Sequence, residues 1–215
     1  MKKIFIVGGD GFARECYFYL INLIEYNREI IFGGFLGHNG YGHTVDYKSC
    51  QHLYLGEVAE HNFKDDEYCL IGAGYPELRK QIYEDLKKMG VKFYTLICNG
   101  VYLSDSFEYG EANVFVYPFY ATVDIKVGAG NVFNSQVGIG HDVEIGNFNF
   151  FGPHTQIQGY VKVGNYNRIG ANTILLAHSK IGNNNKIAPI SVIYKGCKNN
   201  CYMLGNPALK VGDTK

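Results

Sequence analysis

The chain of 215 residues is 47% hydrophobic and 19% charged, and its twenty basic residues are balanced by twenty acidic ones. That balance excludes a chain too polar to bury a core, and it gives nucleic acid or an anionic membrane no bulk electrostatic attraction. No apolar run reaches the roughly 18 residues of a membrane span, and the apolar part of MKKIFIVGGDGFAR is too short for a signal peptide, so a cytoplasmic location is expected.

The length suits one large domain or two small ones. Lys3 to Val7 (KIFIV) predicts a first strand, ending at Gly8-Gly9-Asp10-Gly11, with a helix over Phe12 to Tyr26. Glu29 to Leu36 predicts a second strand and Tyr68 to Ile71 a third, which ends in Gly72-Ala73-Gly74. Pro76 opens a second helix, PELRKQIYEDLKKMG, with Pro in its first turn and Gly90 at its end. Lys92 to Ile97 reads as a further strand, and the elements between His38 and Lys64 are left open. Alternating strands and helices imply a small parallel, Rossmann-like sheet.

Gly9 and Gly11 fit the first two glycines of G-x-G-x-x-G, but Arg14 stands at the third, and the second strand ends in Gly37-His38 instead of an acid. A dinucleotide is therefore not expected. Two readings of the turn stand: a plain tight turn, or backbone N–H groups at a helix N-terminus holding a phosphate. Gly72 to Gly74 should lie on the same carboxyl edge, where open sheets bind ligands. Arg79, one helical turn on, either adds a charge there or is an ordinary solvated side chain. Cys16, Cys50, Cys69, Cys98, Cys197 and Cys201 are scattered, mostly in apolar contexts, and read as reduced thiols; a lone C-x3-C is a poor zinc motif.

The second half repeats. From Val127, every sixth residue through Phe133, Ile139, Ile145, Phe151, Ile157, Val163, Ile169, Leu175, Ile181 and Ile187 to Ile193 is Val, Ile, Leu or Phe, twelve in all. Seven of these are followed directly by Gly, and a weaker version runs back through Ala121 and Phe115 to Tyr109. Asn131, Asn149, Asn167 and Asn185 recur every eighteen residues. Three hexads per coil predict a three-sided solenoid of short parallel strands, with ladder residues pointing inward and stacking about 4.8 Å apart. Gly and Asn are expected to supply left-handed turns, and the Asn column to hydrogen-bond from coil to coil.

These features together resemble the hexapeptide-repeat acyltransferases, which are left-handed parallel β-helices. Within them the chain is most similar to bacterial nucleotide-sugar acetyltransferases of the bacillosamine and perosamine type, with sialic acid O-acetyltransferases nearby. The resemblance rests on VGGDGFARE, IGAGYPELR, the hexads and the closing Gly205-Asn206-Pro207-Ala208, and covers nearly the whole chain. It implies a nucleotide-sugar-binding α/β domain over residues 1–100 and a β-helix acetyltransferase domain over 101–215. It implies acetyl-CoA as acyl donor, a UDP- or TDP-linked amino sugar as acceptor, and a homotrimer.

His141, in IGHDVE, sits two residues beyond a ladder position, so its side chain should leave the coil near a corner. An imidazole can act as a general base near neutral pH, and Asp142 could fix its tautomer; a plain surface histidine is the competing reading. The resemblance makes His141 and Asp142 the catalytic pair. Gly159, eighteen residues on, occupies the same place one coil further and could offer its N–H to the thioester oxygen. His178 falls in the column of Asp142 two coils away, either on CoA phosphates or solvated, and His154 lies on another side.

The resemblance further implies acetyl-CoA contacts from Phe150, Ala171, Pro189, Asn206 and Pro207. It implies sugar-nucleotide contacts from Gly9, Asp10, Gly11, Phe12, Phe35, Leu36, Gly72, Ala73 and Arg79. No metal site is expected: solenoid carbonic anhydrases use two histidines five residues apart, and this chain has no such pair. Three positions depart from the family pattern: Gly37-His38 replaces an acidic pair, Phe12 replaces a His in the glycine turn, and Phe150 replaces a second His. Phe148, Tyr160 and Tyr166 are candidate outward aromatics. The competing readings are an O-acetyltransferase or N-acyltransferase on another small substrate, and a non-enzymatic sugar-binding solenoid.

Overall fold

The computed structural model describes residues 1–40 and 53–214. It divides into two compact units, Met1–Asn99 and Gly100–Lys215. Cys50 and part of the segment left open after His38 lie outside the described residues.

In the first unit, β1 (Lys2–Val7), β2 (Ile30–Gly37), β3 (Tyr54–Glu57), β4 (Glu67–Ile71) and β5 (Lys92–Phe93) form one parallel sheet in the order β3-β2-β1-β4-β5. Ile4, Phe5, Ile6 and Val7 are all fully buried, as a central strand of a covered parallel sheet requires. Helix α1 (Gly11–Tyr26) follows β1, and its apolar stripe buries Ala13, Cys16 and Leu20. Helix α2 (Pro76–Lys88) follows β4 and buries Ile82 and Leu86. The strand expected over Lys92 to Ile97 is two short pieces, Lys92–Phe93 and Leu96–Ile97.

The second unit is a left-handed parallel β-helix. Each coil contributes one short strand to each of three faces. The first face stacks Phe107–Tyr109, Ile125–Val127, Glu144–Ile145, Lys162–Val163, Lys180–Ile181 and Gly196–Cys197. The second stacks Val114–Phe115, Val132–Phe133, Phe150–Phe151, Arg168–Ile169 and Lys186–Ile187. It ends in Cys201–Gly205, on which Ala208–Asp213 folds back antiparallel. The third stacks Phe119–Ala121, Val137–Ile139, Gln156–Ile157, Ile174–Leu175 and Val192–Ile193.

The pairing register is eighteen residues, as in Phe133↔Phe151 and Ile139↔Ile157, and shortens to sixteen at the last coil, as in Ile181↔Cys197 and Ile187↔Met203. Ladder residues fill the prism: Phe115, Phe133 and Phe151 stack with centroids 5.0 and 4.8 Å apart and planes within 4°. A second inward set, four residues beyond the ladder, is just as buried and includes Val143, Thr155, Val161, Thr173 and Asn149. The Asn column is continuous. Asn149 Nδ2 donates to Asn131 Oδ1 (3.0 Å), Asn167 to Asn149 (2.9 Å) and Asn185 to Asn167 (2.9 Å). Inside the prism these amides satisfy one another, so burial costs them little.

The glycine rule differs from the sequence expectation. Left-handed backbone angles do recur every six residues, but at Gln136, Asp142, Phe148, His154, Tyr160, Tyr166, His178 and Ile190 as well as at Gly130 and several Asn. The glycines directly after the ladder residues serve a steric purpose instead. A Cβ on Gly152 would stand 2.6 Å from Ala171 N, and one on Gly170 would stand 2.5 Å from Pro189 N. At these two glycines successive coils pass so closely that a side chain would meet backbone. Phe148, expected to point outward, is buried and stacks on Tyr166 at 5.9 Å.

Candidate active site

His141 follows a third-face strand and precedes a first-face strand, so it stands on the corner between them. Its side chain is 52% exposed, outside the prism, and Nδ1 lies 2.8 Å from Asp142 Oδ2. Adjacent residues can meet this way because Asp142 takes a left-handed φ of 56°, which turns its carboxylate back toward the imidazole. With Nδ1–H donating to Asp142, Nε2 carries the free lone pair and can accept a proton. Gly159 lies beneath the ring: a Cβ there would sit 2.7 Å from Cε1 and 2.8 Å from Nε2 of His141.

The Gly159 N–H differs from its counterparts at one other corner. At the corner between the first and second faces, the equivalent N–H groups of Ala129, Asn147 and Asn165 each donate to the side chain of an Asn eighteen residues on (2.7–2.8 Å). The residue eighteen beyond Gly159 is Ala177, which has no side-chain acceptor. Among the described residues the Gly159 N–H therefore has no hydrogen-bond acceptor. An N–H held without an acceptor beside a basic nitrogen is available to an oxygen that gains charge.

Tyr160 and His178 complete this corner and were not tied to His141 by sequence. The Tyr160 ring meets His141 at 5.0 Å and 88°, and stacks on His178 at 4.8 Å and 5°. A cleft of about 310 Å³ beside them is lined by Asp124, Lys126, Asp142, Glu144, Tyr160 and Lys162. A larger one, about 780 Å³, runs along the first face past Lys126, Glu144, Lys162 and Lys180. It is a shallow charged trough in which Lys162 pairs with Glu144 at 2.8 Å, and its lining includes neither His141 nor Gly159.

The remaining expected cofactor residues are elsewhere. Phe150, Ala171 and Pro189 line a groove of about 640 Å³ on the second face and its far corner. Arg168, Lys186 and Tyr202 line the same groove. The third face separates that corner from His141 within one chain. Asn206 and Pro207 form the exposed tip of the closing hairpin, where Tyr194 Oη reaches Asn206 Oδ1 at 3.5 Å. His154 stands on the corner between the second and third faces, and no group of three or more His, Cys, Asp or Glu among the described residues could hold a metal.

The glycine turns of the first unit do meet at one sheet edge. Gly8, at φ 134°, donates to Leu36 O (3.0 Å), and Gly72 N donates to Val7 O (2.7 Å). A Cβ on Gly8 would press to 3.0 Å on the Gly72 carbonyl. Several side chains, however, are committed to the fold. Phe35, Leu36 and Ala73 are fully buried: the first two stand on an inner strand whose faces are both covered, and Ala73 lies in the turn after β4. Asp10 caps α1, accepting from Phe12 N (2.9 Å) and Ala13 N (3.4 Å). Its carboxylate thus occupies N–H groups that a phosphate would need, leaving the turn around Gly9 and Gly11 as the open backbone.

Arg79 corrects both readings made from sequence. It is 1% exposed and donates through Nη1 to Ile71 O (2.5 Å) and Ala73 O (3.1 Å). Burial lowers its pKa to about 10, so it stays charged at neutral pH. The guanidinium fastens the Gly72 turn from within instead of reaching solvent. His38 is likewise buried and lies 3.2 Å from Asp85 Oδ2 of α2.

No protein-family model matches the chain, and no curated protein matches its sequence. Solved structures do match its fold. WeeI from Acinetobacter baumannii AYE aligns at TM-score 0.81 and 18% identity, covering 98% of this chain and 100% of that one. The acetyltransferase domain of PglB from Neisseria gonorrhoeae FA1090, in complex with acetyl coenzyme A, aligns at 0.82 and 18%, covering 98% and 99%. PerB from Caulobacter crescentus, in complex with CoA and GDP-perosamine, aligns at 0.81 and 18%, covering 99% and 98%. The chain shares their fold. The likeness spans both units, so the pairing of an α/β unit with a β-helix is common to all four proteins. Among the described residues no helix is long and apolar enough to cross a membrane.

Proposed function

We propose that the protein is an acetyl-CoA-dependent N-acetyltransferase acting on the amino group of a nucleotide-linked sugar. The observation that carries this reading is the His141–Asp142 pair set over the unpartnered Gly159 N–H. His141 Nε2 takes a proton from the acceptor amine as its nitrogen attacks the thioester carbonyl carbon. The Gly159 N–H holds the oxyanion of the tetrahedral intermediate. Collapse breaks the C–S bond, and the leaving thiolate takes the proton back from Nε2. Asp142 holds Nδ1–H throughout and stabilises the transient imidazolium. The transfer is direct, with no acyl-enzyme.

Acetyl-CoA is polyanionic and part apolar. The groove carrying Arg168 and Lys186 beside Phe150, Ala171, Pro189 and Tyr202 suits it. Groove and imidazole stand on different corners of one coil, which supports a homotrimer in which the groove of one copy faces His141 of the next. Exposed Tyr102 and Tyr120, bridged on adjacent rungs, offer surface for such packing. The first unit holds the nucleotide sugar at the turn carrying Gly9 and Gly11, the Gly8 and Gly72 N–H groups being engaged within the sheet edge. WeeI, PglB and PerB share the fold, and two of them were solved with coenzyme A or its acetyl ester, which supports the donor.

The test is thiol release from acetyl-CoA across UDP-, TDP- and GDP-linked amino sugars and their hydroxyl analogues. An amino sugar should turn over, and His141→Ala should lose about 10²–10⁴-fold in kcat. Because the ring is outside the core, the variant should keep its Tm. Undiminished turnover in His141→Ala would refute the base, and preference for a hydroxyl analogue would refute the acceptor.

A further inference from the structure

Every corner of the β-helix needs a residue at left-handed φ; Asn172, Asn184 and Gly130 meet that need at little backbone cost, whereas rings such as Phe148, Tyr160 and Tyr166 meet it at a higher one. Tyr160 does so at φ 63°. A bulky ring is an unfavourable choice there on backbone grounds alone. Its hydroxyl has no hydrogen-bond partner among the described residues, so it is not retained for a polar contact in the fold. What the residue does supply is a wall. One side of its ring meets His141 at a right angle, and its face lies on His178.

We propose that Tyr160 is a positioning residue for His141, with the His178 ring as its backing. The proposal rests on the reading of His141 as the base. An imidazole that is half exposed is not locked by packing. Asp142, itself 44% exposed, restrains Nδ1 through one hydrogen bond but leaves the ring free to swing about it. Gly159 supplies the floor, since its missing Cβ lets the ring lie flat on the coil. Tyr160 closes the remaining side. The backbone keeps the three rings in register, with Tyr160 N donating to His141 O (3.0 Å) and His178 N to Gly159 O (3.1 Å). Stacking fixes the Tyr160 rotamer, and the edge contact passes that order to the imidazole. A base must be held near its productive geometry, and small misplacement is costly in rate.

Tyr160→Phe, Tyr160→Asn and His178→Ala in the full-length protein test this. Tyr160→Phe should behave as wild type, because the ring and not the hydroxyl is used. Tyr160→Asn should keep or raise Tm, since Asn accepts the backbone angle, yet lose about 10- to 100-fold in kcat with KM for both substrates within about twofold. His178→Ala should lose less, in the same direction. NMR of the His141 ring supplies a readout independent of turnover: Hε1 should carry a ring-current shift in wild type and Tyr160→Phe that Tyr160→Asn abolishes, with averaging over rotamers.

An unchanged kcat or an equally ordered His141 ring in Tyr160→Asn overturns the proposal, as does an equal loss in Tyr160→Phe. If the ring loses order in Tyr160→Asn while no protein, wild type included, transfers acetyl, the positioning stands and the acetyltransferase reading falls.

Discussion

In the first unit a parallel strand is followed by a helix or a longer connection that returns the chain to the sheet; in the second, the return path is two more strands. Apart from the closing antiparallel hairpin both units pair their strands in parallel, and they bury different things as a result. The α/β sheet covers both faces, so the middle of its central strands is apolar, and a buried charge stands only where partners receive it: backbone carbonyls at Arg79, and His61, Lys3 and the Lys64 N–H at Glu67. The β-helix has one inside and one outside. Ladder residues alternate with solvent-facing neighbours, and the corners present side chains to solvent. The lesson is about where chemistry can stand. Corner residues of the solenoid, such as His141, are free of the core, whereas the α/β edge presents mainly backbone.

Three substitutions sharpen that contrast, beginning with the largest effect. Phe133→Ala removes the middle ring of the Phe115–Phe133–Phe151 stack and leaves a cavity that neighbouring rungs cannot fill. It should cost about 3–5 kcal/mol in denaturant unfolding and lower hydrogen-exchange protection on adjoining coils. If the cost were under about 1 kcal/mol, the stacked interior would not be the main source of the solenoid's stability.

Arg79→Met keeps the aliphatic stem but leaves the Ile71 and Ala73 carbonyls without this donor. It should cost about 1–3 kcal/mol for each carbonyl that finds no other donor, with protection lost around the Gly72 turn. A solvated arginine would give nearly no change, so this variant tests the buried anchor against either reading made from sequence.

The smallest effect is confined to acid. Burial alone would raise the Glu67 pKa. The His61 hydrogen bond, the Lys64 N–H and the charges of His61 and Lys3 together hold it below its usual 4.5. A carboxylate with a depressed folded pKa adds stability that is present above its unfolded value and fades as pH falls through the folded one. Wild type should therefore lose an increment of stability below about pH 4.5 that Glu67→Gln lacks, as read from Tm against pH. Parallel curves for the two proteins would show that Glu67 is not linked to folding.

The repeat was the most legible feature. Ladder residues from Val127 to Ile193, the eighteen-residue Asn column and the outward placement of His141 all follow from period alone, because each coil meets the same neighbours. The first unit's strands and helices were legible where turn glycines, Pro76 and apolar runs marked them. Direction within the core was not. Phe35 and Leu36 stand at a ligand-binding edge by sequence yet point into the packing, and Arg79 lies under the turn it was expected to decorate. Nor did the turn residues follow propensity: the coil closes tightly enough to impose left-handed angles on Tyr160, His178 and Ile190.

The sequence by itself determined that the second half winds into a three-sided solenoid and that one histidine-carboxylate pair stands at a corner, since strict periodicity admits one regular stacking. Only the tertiary structure decided which rings wall the imidazole and that the candidate donor groove lies on another edge. Those depend on contacts between residues eighteen or more positions apart, whose distances and orientations are set by how closely the coils pack.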